Sequence, residues 1–323
     1  MIRAVIARVS RFDRVNFVLT NRIPRRLATT FIGWLVRIEQ PLMRDLSLRF
    51  WRLFSDLDLS DAADTRFASV HACFTRRLRD GARPFVADPA IVVAPCDAIV
   101  GARGIVTDGT LLQVKGFSYR LGDLLDDGAH AASLEGSTYV TLRLTASMYH
   151  RFHAPHDCVV TAVTHIFGDV WNVNPPTLRR VRGLYCRNER AVVRTRLSAT
   201  GHAITLVPVA AILVAGIRLA FLDMPKGPAR KTRWNTACCA ALQKGEEMGW
   251  FEHGSTIIVV ASEGLSVCAG ITEGNIIRAG QALFQITPRS PGCGSETRMV
   301  GRIGDSPTSS PRQRRTASGP NMA

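Results

Sequence analysis

Lysine is nearly missing from this chain. It occurs only at 115, 226, 231 and 244, so almost all of the 41 basic residues are arginine. Acidic residues number 26, which leaves a formal net charge of +15 and a pI near 10.4. A surface this basic calls for an anionic partner, either nucleic acid or acidic lipid. Nucleic-acid fingerprints are also missing: there is no aromatic-basic RNP pattern, no Cys/His finger spacing and no heptad run. An acidic phospholipid surface is therefore the expected partner, and nucleic acid is not. Paired cysteine spacing is absent too. The eight cysteines, at 73, 96, 158, 186, 238, 239, 268 and 293, contain no C-x-x-C. They read as reduced, mostly buried thiols, with neither a disulfide framework nor a metal site. Adjacent Cys238 and Cys239 read most simply as helix or loop residues. A signal-peptide pattern is lacking, because Arg3, Arg8, Arg11 and Arg14 interrupt every apolar run. The longest apolar stretch, 204–221, is borderline as a membrane span, and Pro208, Gly216 and Arg218 argue against it.

What is present divides the chain into three. With 323 residues it can bury one large core or two modest ones. From Arg25 to Phe54 the pattern is helical: Leu27, Phe31, Trp34, Leu35, Ile38, Leu42, Leu46, Phe50 and Leu53 recur at three- and four-residue steps, with arginines between them. Pro41 is expected to divide this stretch into two helices. A basic amphipathic helix of this kind either lies in a headgroup layer or packs on its own domain. Residues 66–84 read as a short helix ending in a basic loop. From residue 90 onward, short β-branched runs alternate with Gly, Asp and Pro turns, at 91–95, 99–106, 110–114, 138–144, 158–167, 191–197, 203–222 and 256–261. Residues 223–244 read as a polar, basic connector. Beyond Pro288 the chain is rich in Ser, Pro, Gly and Arg and is expected to be a disordered tail. The expected fold class is α+β, mainly β: N-terminal amphipathic helices (1–64), then a β-sandwich or barrel-like catalytic core (65–287), then the basic tail (288–323).

One stretch suggests chemistry. Gly245-Glu246-Glu247-Met248-Gly249-Trp250-Phe251-Glu252-His253-Gly254-Ser255-Thr256 runs straight into Ile257-Ile258-Val259-Val260. A small-residue turn ahead of a buried strand leaves the Gly254 carbonyl open to attack by the Ser255 Oγ. A serine hydroxyl is a weak nucleophile, so such self-attack needs a base. A second Gly136-Ser137-Thr138 precedes another apolar run and reads as a decoy.

The first of these stretches resembles the processing site of the phosphatidylserine decarboxylase family. Other stretches resemble the same family in the same order: Arg76-Arg77-Leu78-Arg79 with Arg83-Pro84, then Lys115-Gly116-Phe117-Ser118-Tyr119, then Tyr149-His150-Arg151-Phe152-His153-Ala154-Pro155. Gly168-Asp169-Val170-Trp171-Asn172-Val173-Asn174 and Arg187-Asn188-Glu189-Arg190 follow. The resemblance implies that the 204–221 stretch is two strands joined by a turn, and that the N-terminal helices dock on a membrane. It also implies a charge relay of Ser255, His153 and Asp97, the last in Pro95-Cys96-Asp97-Ala98. Self-cleavage between Gly254 and Ser255 would give chains 1–254 and 255–323, held together as a heterodimer. Ser255 would become a pyruvoyl group, with no metal and no PLP. That carbonyl would form a Schiff base with phosphatidylserine and take up electrons as CO₂ leaves, giving phosphatidylethanolamine. His150 and His153 are the candidate proton donors to the product, and the resemblance favours His150. The implied location is the cytoplasmic face of the cell membrane, peripherally bound.

Four residues depart from the family pattern: His253 replaces an apolar residue, Ala98 a glycine, Met148 an aspartate, and Cys96 is unusual. Three other readings stand beside this one. They are an uncleaved homologue acting as a phospholipid-binding module, a Ser-His-Asp hydrolase (which would need a Gly-x-Ser-x-Gly elbow), and a pyruvoyl enzyme for a soluble amino acid.

Overall fold

Helix α1 (Arg25–Leu35) and helix α2 (Pro41–Phe54) form where the apolar periodicity predicts them, and Pro41 sits in the first turn of α2, where its missing N–H costs nothing. The computed structural model describes residues 24–114, 117–212, 216–223, 233–252 and 256–287. The expected tail, His253, Gly254 and Ser255 lie outside the described residues. No described helix is long and apolar enough to cross a membrane. Leu48 and Trp51 of α2 pack on Ala62, Phe67 and Cys73, a small cluster apart from the main core. The opposite side of the pair stays bare: Leu27, Phe31, Trp34, Leu42, Leu46 and Phe50 are each more than half exposed. Helix α3 (Val70–Phe74) follows, its N-terminus capped by the Ser69 hydroxyl, which accepts from the Ala72 N–H at 3.1 Å.

The chain then becomes mainly β. In order come β1 (Ile91–Val93), β2 (Ala98–Ile105), β3 (Thr110–Val114), β4 (Phe117–Arg120), α4 (Leu121–Leu125), α5 (Gly128–Ala132), β5 (Thr138–Arg143), β6 (Arg151–His153) and β7 (Cys158–Ile166). After α6 (Pro175–Leu178) and α7 (Leu184–Arg187) come β8 (Arg190–Leu197), β9 (Ala203–Val209), β10 (Ile217–Leu219), β11 (Arg233–Leu242), β12 (Glu247–Phe251) and β13 (Thr256–Ala261). The short strands β14 (Leu265–Val267), β15 (Ile276–Ile277) and β16 (Ala282–Ile286) complete the described fold.

One antiparallel sheet, ordered β11-β7-β8-β9-β13-β5-β2-β15, organises everything else. Its two faces carry separate cores. On one face, Ile257 and Val259 of β13 pack with Leu142, Phe152, Phe251 and Phe284, beneath the small sheets β10-β12-β6 and β1-β16-β14. On the other face, Ile258 and Val260 pack with Leu121, Leu124, Leu184 and Tyr185 of the α4–α7 layer. Strand β13 is central, buried at every residue and hydrogen-bonded to β5 and β9 on its two edges. That double coverage explains its unbroken β-branched sequence.

Three expectations need correction. Residues 233–242 of the supposed connector form β11, the longest strand of the sheet, paired with β7. Cys238 and Cys239 lie on it, at an irregularity in the pairing, and not in a helix or loop. The strand is an edge whose middle, Thr236 to Ala241, holds only Thr, Ala and Cys, so it lacks the bulky signature of a buried strand. The thiols are also less buried than expected. Cys73, Cys96 and Cys158 are buried, Cys186, Cys238 and Cys268 half-buried, Cys239 exposed, and all seven are free.

The 204–221 stretch does form two strands, β9 and β10. Gly249 on β12 has a steric reason: a side chain there would run into the Arg218 carbonyl on β10 and the Phe152 ring on β6.

Candidate active site

The candidate histidines sit on and beside β6, whose register on β12 sets Phe152 against Gly249 and His153 against Glu247. Alternation along this three-residue strand buries Phe152 in the core and leaves His153 on the outer face, half-buried. Both ring nitrogens of His153 are engaged. Nδ1 lies 2.9 Å from the Gly245 carbonyl, and Nε2 lies 3.0 Å from the Tyr149 hydroxyl. A carbonyl can only accept, so Nδ1 carries the proton and Nε2 offers its lone pair to the tyrosine O–H. Burial lowers the His153 pKa, against the Gly245 hydrogen bond and the charges of Glu247 and Asp97, which act in the opposite sense. The imidazole is therefore neutral at pH 7, the state a general base requires. Burial raises the Tyr149 pKa, so its hydroxyl remains a donor.

Asp97 departs from the expected relay geometry. It is buried at the head of β2, but its oxygens are taken by Arg83, whose Nε lies 2.8 Å from Oδ1 and whose Nη2 lies 2.6 Å from Oδ2. The Ala279 N–H adds a third bond at 3.0 Å. No hydrogen bond joins Asp97 to His153. The physical reason is competition: a guanidinium offers a carboxylate two parallel charge-assisted bonds, and an imidazole offers one. Asp97 acts on His153 through its charge, and the Gly245 carbonyl sets the tautomer. Arg83 in turn holds Asp61 at 2.8 Å. Ala98, where the family has glycine, needs no special backbone, since Asp108 and Asp126 are the only non-glycine residues with positive φ among those described.

His150 is buried and stacks on Phe74 at 3.8 Å between ring centres, with its Nε2 3.3 Å from the Ala146 carbonyl. Phe74 stacks in turn on Trp51 of α2 at 5.9 Å. An aromatic column thus runs from the N-terminal helices to His150. A second link lies one turn away. Glu252 is buried and paired with Arg37, which follows α1, with His71 at 3.1 Å and with Arg218 at 3.3 Å. Burial alone would raise the Glu252 pKa, but the His71 hydrogen bond and the three neighbouring cations hold it down to about 2.

A cavity of about 330 Å³ opens beside His153, with Arg77, Arg79, Arg83, Phe85 and Tyr149 among its walls. Among the described residues, no cluster of three His, Cys, Asp or Glu side chains is placed to hold a metal ion. The decoy Ser137 is almost fully buried just ahead of β5.

A sequence model of the phosphatidylserine decarboxylase family matches residues 70–285. The chain belongs to that family. It is 34% identical over 279 residues to a phosphatidylserine decarboxylase proenzyme of Halorhodospira halophila, covering 85% of this chain and 94% of the relative. It is 32% identical over 288 residues to the proenzyme of Shewanella baltica strain OS155, and 32% over 292 residues to that of Shewanella sp. strain MR-4. These matches cover 97% and 99% of the relatives. The resemblance noted from the motifs is thus a relationship along most of the chain.

The sequence reading did not assign roles to Tyr149, Arg83, Gly245 or Glu252. Tyr149 and Arg83 lie inside quoted family motifs, so position alone could have flagged them. The Gly245 contact is made by a backbone carbonyl and leaves no mark in the residue type.

Proposed function

We propose that this family member is a proenzyme that cuts itself between Gly254 and Ser255 and then decarboxylates phosphatidylserine to phosphatidylethanolamine. The observation that carries the reading is Thr256. It opens a strand buried on both faces and held on both edges, so whatever group forms at residue 255 is tethered directly to the middle of the large sheet. A neutral histidine, His153, serves as base once its Nε2 exchanges the Tyr149 hydroxyl for that of Ser255. In the cleavage, the Ser255 hydroxyl gives up its proton to His153, and its oxygen attacks the Gly254 carbonyl carbon. The peptide C–N bond breaks as the ester C–O bond forms. Elimination of that ester frees a carboxylate at Gly254. The remaining enamine takes up water and loses ammonia, leaving a ketone at 255.

A tether to the buried strand that starts at Thr256, with a neutral histidine on β6, suits such a pyruvoyl group. It supplies an electron-accepting carbonyl that reacts with the substrate amine. The protein's own part is to hold the headgroup, exclude water and return a proton to the carbon that loses CO₂. Asp97, fixed by Arg83, supports His153 through its charge, and His150, locked by Phe74, is the preferred proton donor. The bare apolar side of α1 and α2, rimmed by Arg37 and Arg49, lies in the headgroup layer of an acidic membrane on its cytoplasmic face. The two chains remain one heterodimer because β13 is wedged between β5 and β9.

The test is electrophoresis of purified wild type, Ser255→Ala and His153→Ala, with turnover of phosphatidylserine in vesicles. The reading expects two bands and turnover for wild type, and a single inert band for each variant. Wild type as one uncut band that binds vesicles without turnover would favour a phospholipid-binding module.

A further inference from the structure

The arginines differ in what holds them. Arg190, buried at the start of β8, donates to the carbonyls of Leu124, Cys186, Asn188 and Asp123 at 2.6–3.0 Å. Arg83 has Asp61 and Asp97, Arg151 has Glu247 and the Thr75 and Arg76 carbonyls, and Arg218 has Glu252. Arg44, Arg76, Arg194 and Arg233 have similar partners. Among the described arginines that are buried or half-buried, Arg143 is the one with neither a hydrogen bond nor an ion pair.

Its position is specific. Arg143 ends β5, opposite Thr256 of β13 on one side and Ile99 of β2 on the other. Directly opposed residues of an antiparallel pair share a face, with Cβ atoms about 4.5–5.5 Å apart. Arg143 and Thr256 therefore point to the face covered by the α4–α7 layer, at the same end of the sheet as Asp97. Tyr185 of that layer is near enough to sense both the Arg143 charge and the Thr256 hydroxyl. The Thr256 Oγ1 is fully buried beside the Tyr185 hydroxyl, which it meets as a hydrogen-bonding neighbour. Thr141 Oγ1, two residues before Arg143 on that face, is buried in the same way beside the Tyr119 hydroxyl. Burial lowers the Arg143 pKa, and no carboxylate acts to restore it. A half-buried guanidinium without an anion is a costly arrangement that an oxyanion would relieve.

We propose that Arg143 and Thr256, backed by Tyr185, form the subsite that binds the phosphodiester of the substrate headgroup. The proposal rests on the reading that Ser255 becomes the reactive carbonyl, because Thr256 is the next residue along the chain. The phosphodiester fits better than the carboxylate on energetic grounds. The carboxylate loses its charge as CO₂ departs, so a cation fixed on it would stabilise the starting state more than the transition state. The phosphodiester keeps its charge throughout, and a planar guanidinium matches two of its oxygens.

The test is titration calorimetry of wild type, Arg143→Lys and Arg143→Gln with two soluble probes. Glycerophosphoethanolamine carries the phosphodiester and no carboxylate; free serine carries the carboxylate and no phosphate. Arg143→Gln should weaken glycerophosphoethanolamine about ten- to a hundredfold, the range for a hydrogen bond to a charged group. Arg143→Lys should fall between, free serine should bind all three alike, and both variants should still cut themselves in two. Loss of serine binding instead would assign Arg143 to the carboxylate and overturn the proposal. It is equally overturned if wild type gives no heat with glycerophosphoethanolamine, if neither probe responds to the variants, or if they no longer self-cleave. Should Arg143→Gln fail to fold, the weakening in Arg143→Lys decides. An uncut wild type would sink the reading of Ser255, while calorimetry would still decide the subsite.

Discussion

Helices α1 and α2 and strand β13 are both rich in large apolar residues, yet they sit in opposite environments. Every residue of β13 is buried, with apolar partners on both faces and backbone partners on both edges. On the helices, Leu27 is 71% exposed, Trp34 62% and Leu42 73%. The same kind of side chain thus stabilises the fold in one place and in the other is left for something outside the protein. Two connections join these regions near the site: the Trp51–Phe74–His150 column and the cluster around Glu252. The helices are seated on the core with their apolar side turned outward, the arrangement that the proposed membrane contact uses.

That contrast can be broken first by truncation. Ile258→Ala on β13 should cost about 2–5 kcal/mol, read by denaturant unfolding in a Ser255→Ala background so that a single chain is followed. Trp34→Ala should shift stability by no more than about 0.5 kcal/mol. A comparable loss in Trp34→Ala would mean that the helix face is core after all.

Membrane partition should reverse the order. Replacing Phe31 and Trp34 together with serine should weaken binding to acidic vesicles by more than about a hundredfold, since each apolar side chain taken out of water contributes about 1.5–3 kcal/mol. Ile258→Ala, if folded, should bind vesicles as wild type does. Equal binding by both variants would dissociate the helix face from lipid.

The connections between the two regions have a pH signature. The Glu252 carboxyl titrates near 2 in the folded chain, below its ordinary 4.5. Its contribution is fully present above pH 4.5 and is lost as pH falls from there toward 2. His153 has a folded pKa below its ordinary 6.5. The unfolded chain takes up that proton first, so stability from this group is present above pH 6.5 and declines as pH falls through the depressed value. Melting temperature against pH should flatten in the lower window for Glu252→Gln and in the upper window for His153→Ala. Unchanged profiles would remove both assignments.

The smallest effect is expected at Met148, whose sulfur accepts the Thr145 N–H at 3.4 Å where the family has an aspartate. Met148→Asp should stabilise the turn by about 1 kcal/mol, the typical net worth of a hydrogen bond, measurable as a small rise in melting temperature.

Much of this architecture was legible in the sequence, and the reasons differ by element. The helix pair could be read from apolar steps of three and four with Pro41 between them, and the limits of β13 from an unbroken β-branched run. Strand β11 could not, because the Thr, Ala and Cys residues of its middle carry little hydrophobic contrast. Strands β6, β14 and β15 are two or three residues long, too short for any periodicity. The residues of the site were reached through family motifs, but their wiring was not. A charge relay predicts an aspartate on the histidine. Which of Asp97 or the Gly245 carbonyl meets His153 depends on where Arg83 and the 245 turn arrive in space, and neither is encoded in local pattern. Glu252 was overlooked because its partners lie 34, 181 and 215 residues away in the chain.

The most direct measurement is the intact mass of active protein before and after treatment with a hydrazine reagent. The account predicts a 255–323 chain that lacks an α-amino group and gains one hydrazone at residue 255, with Gly254 ending the larger chain in a free carboxylate. An unmodified serine at 255 in protein that turns over phosphatidylserine would contradict it.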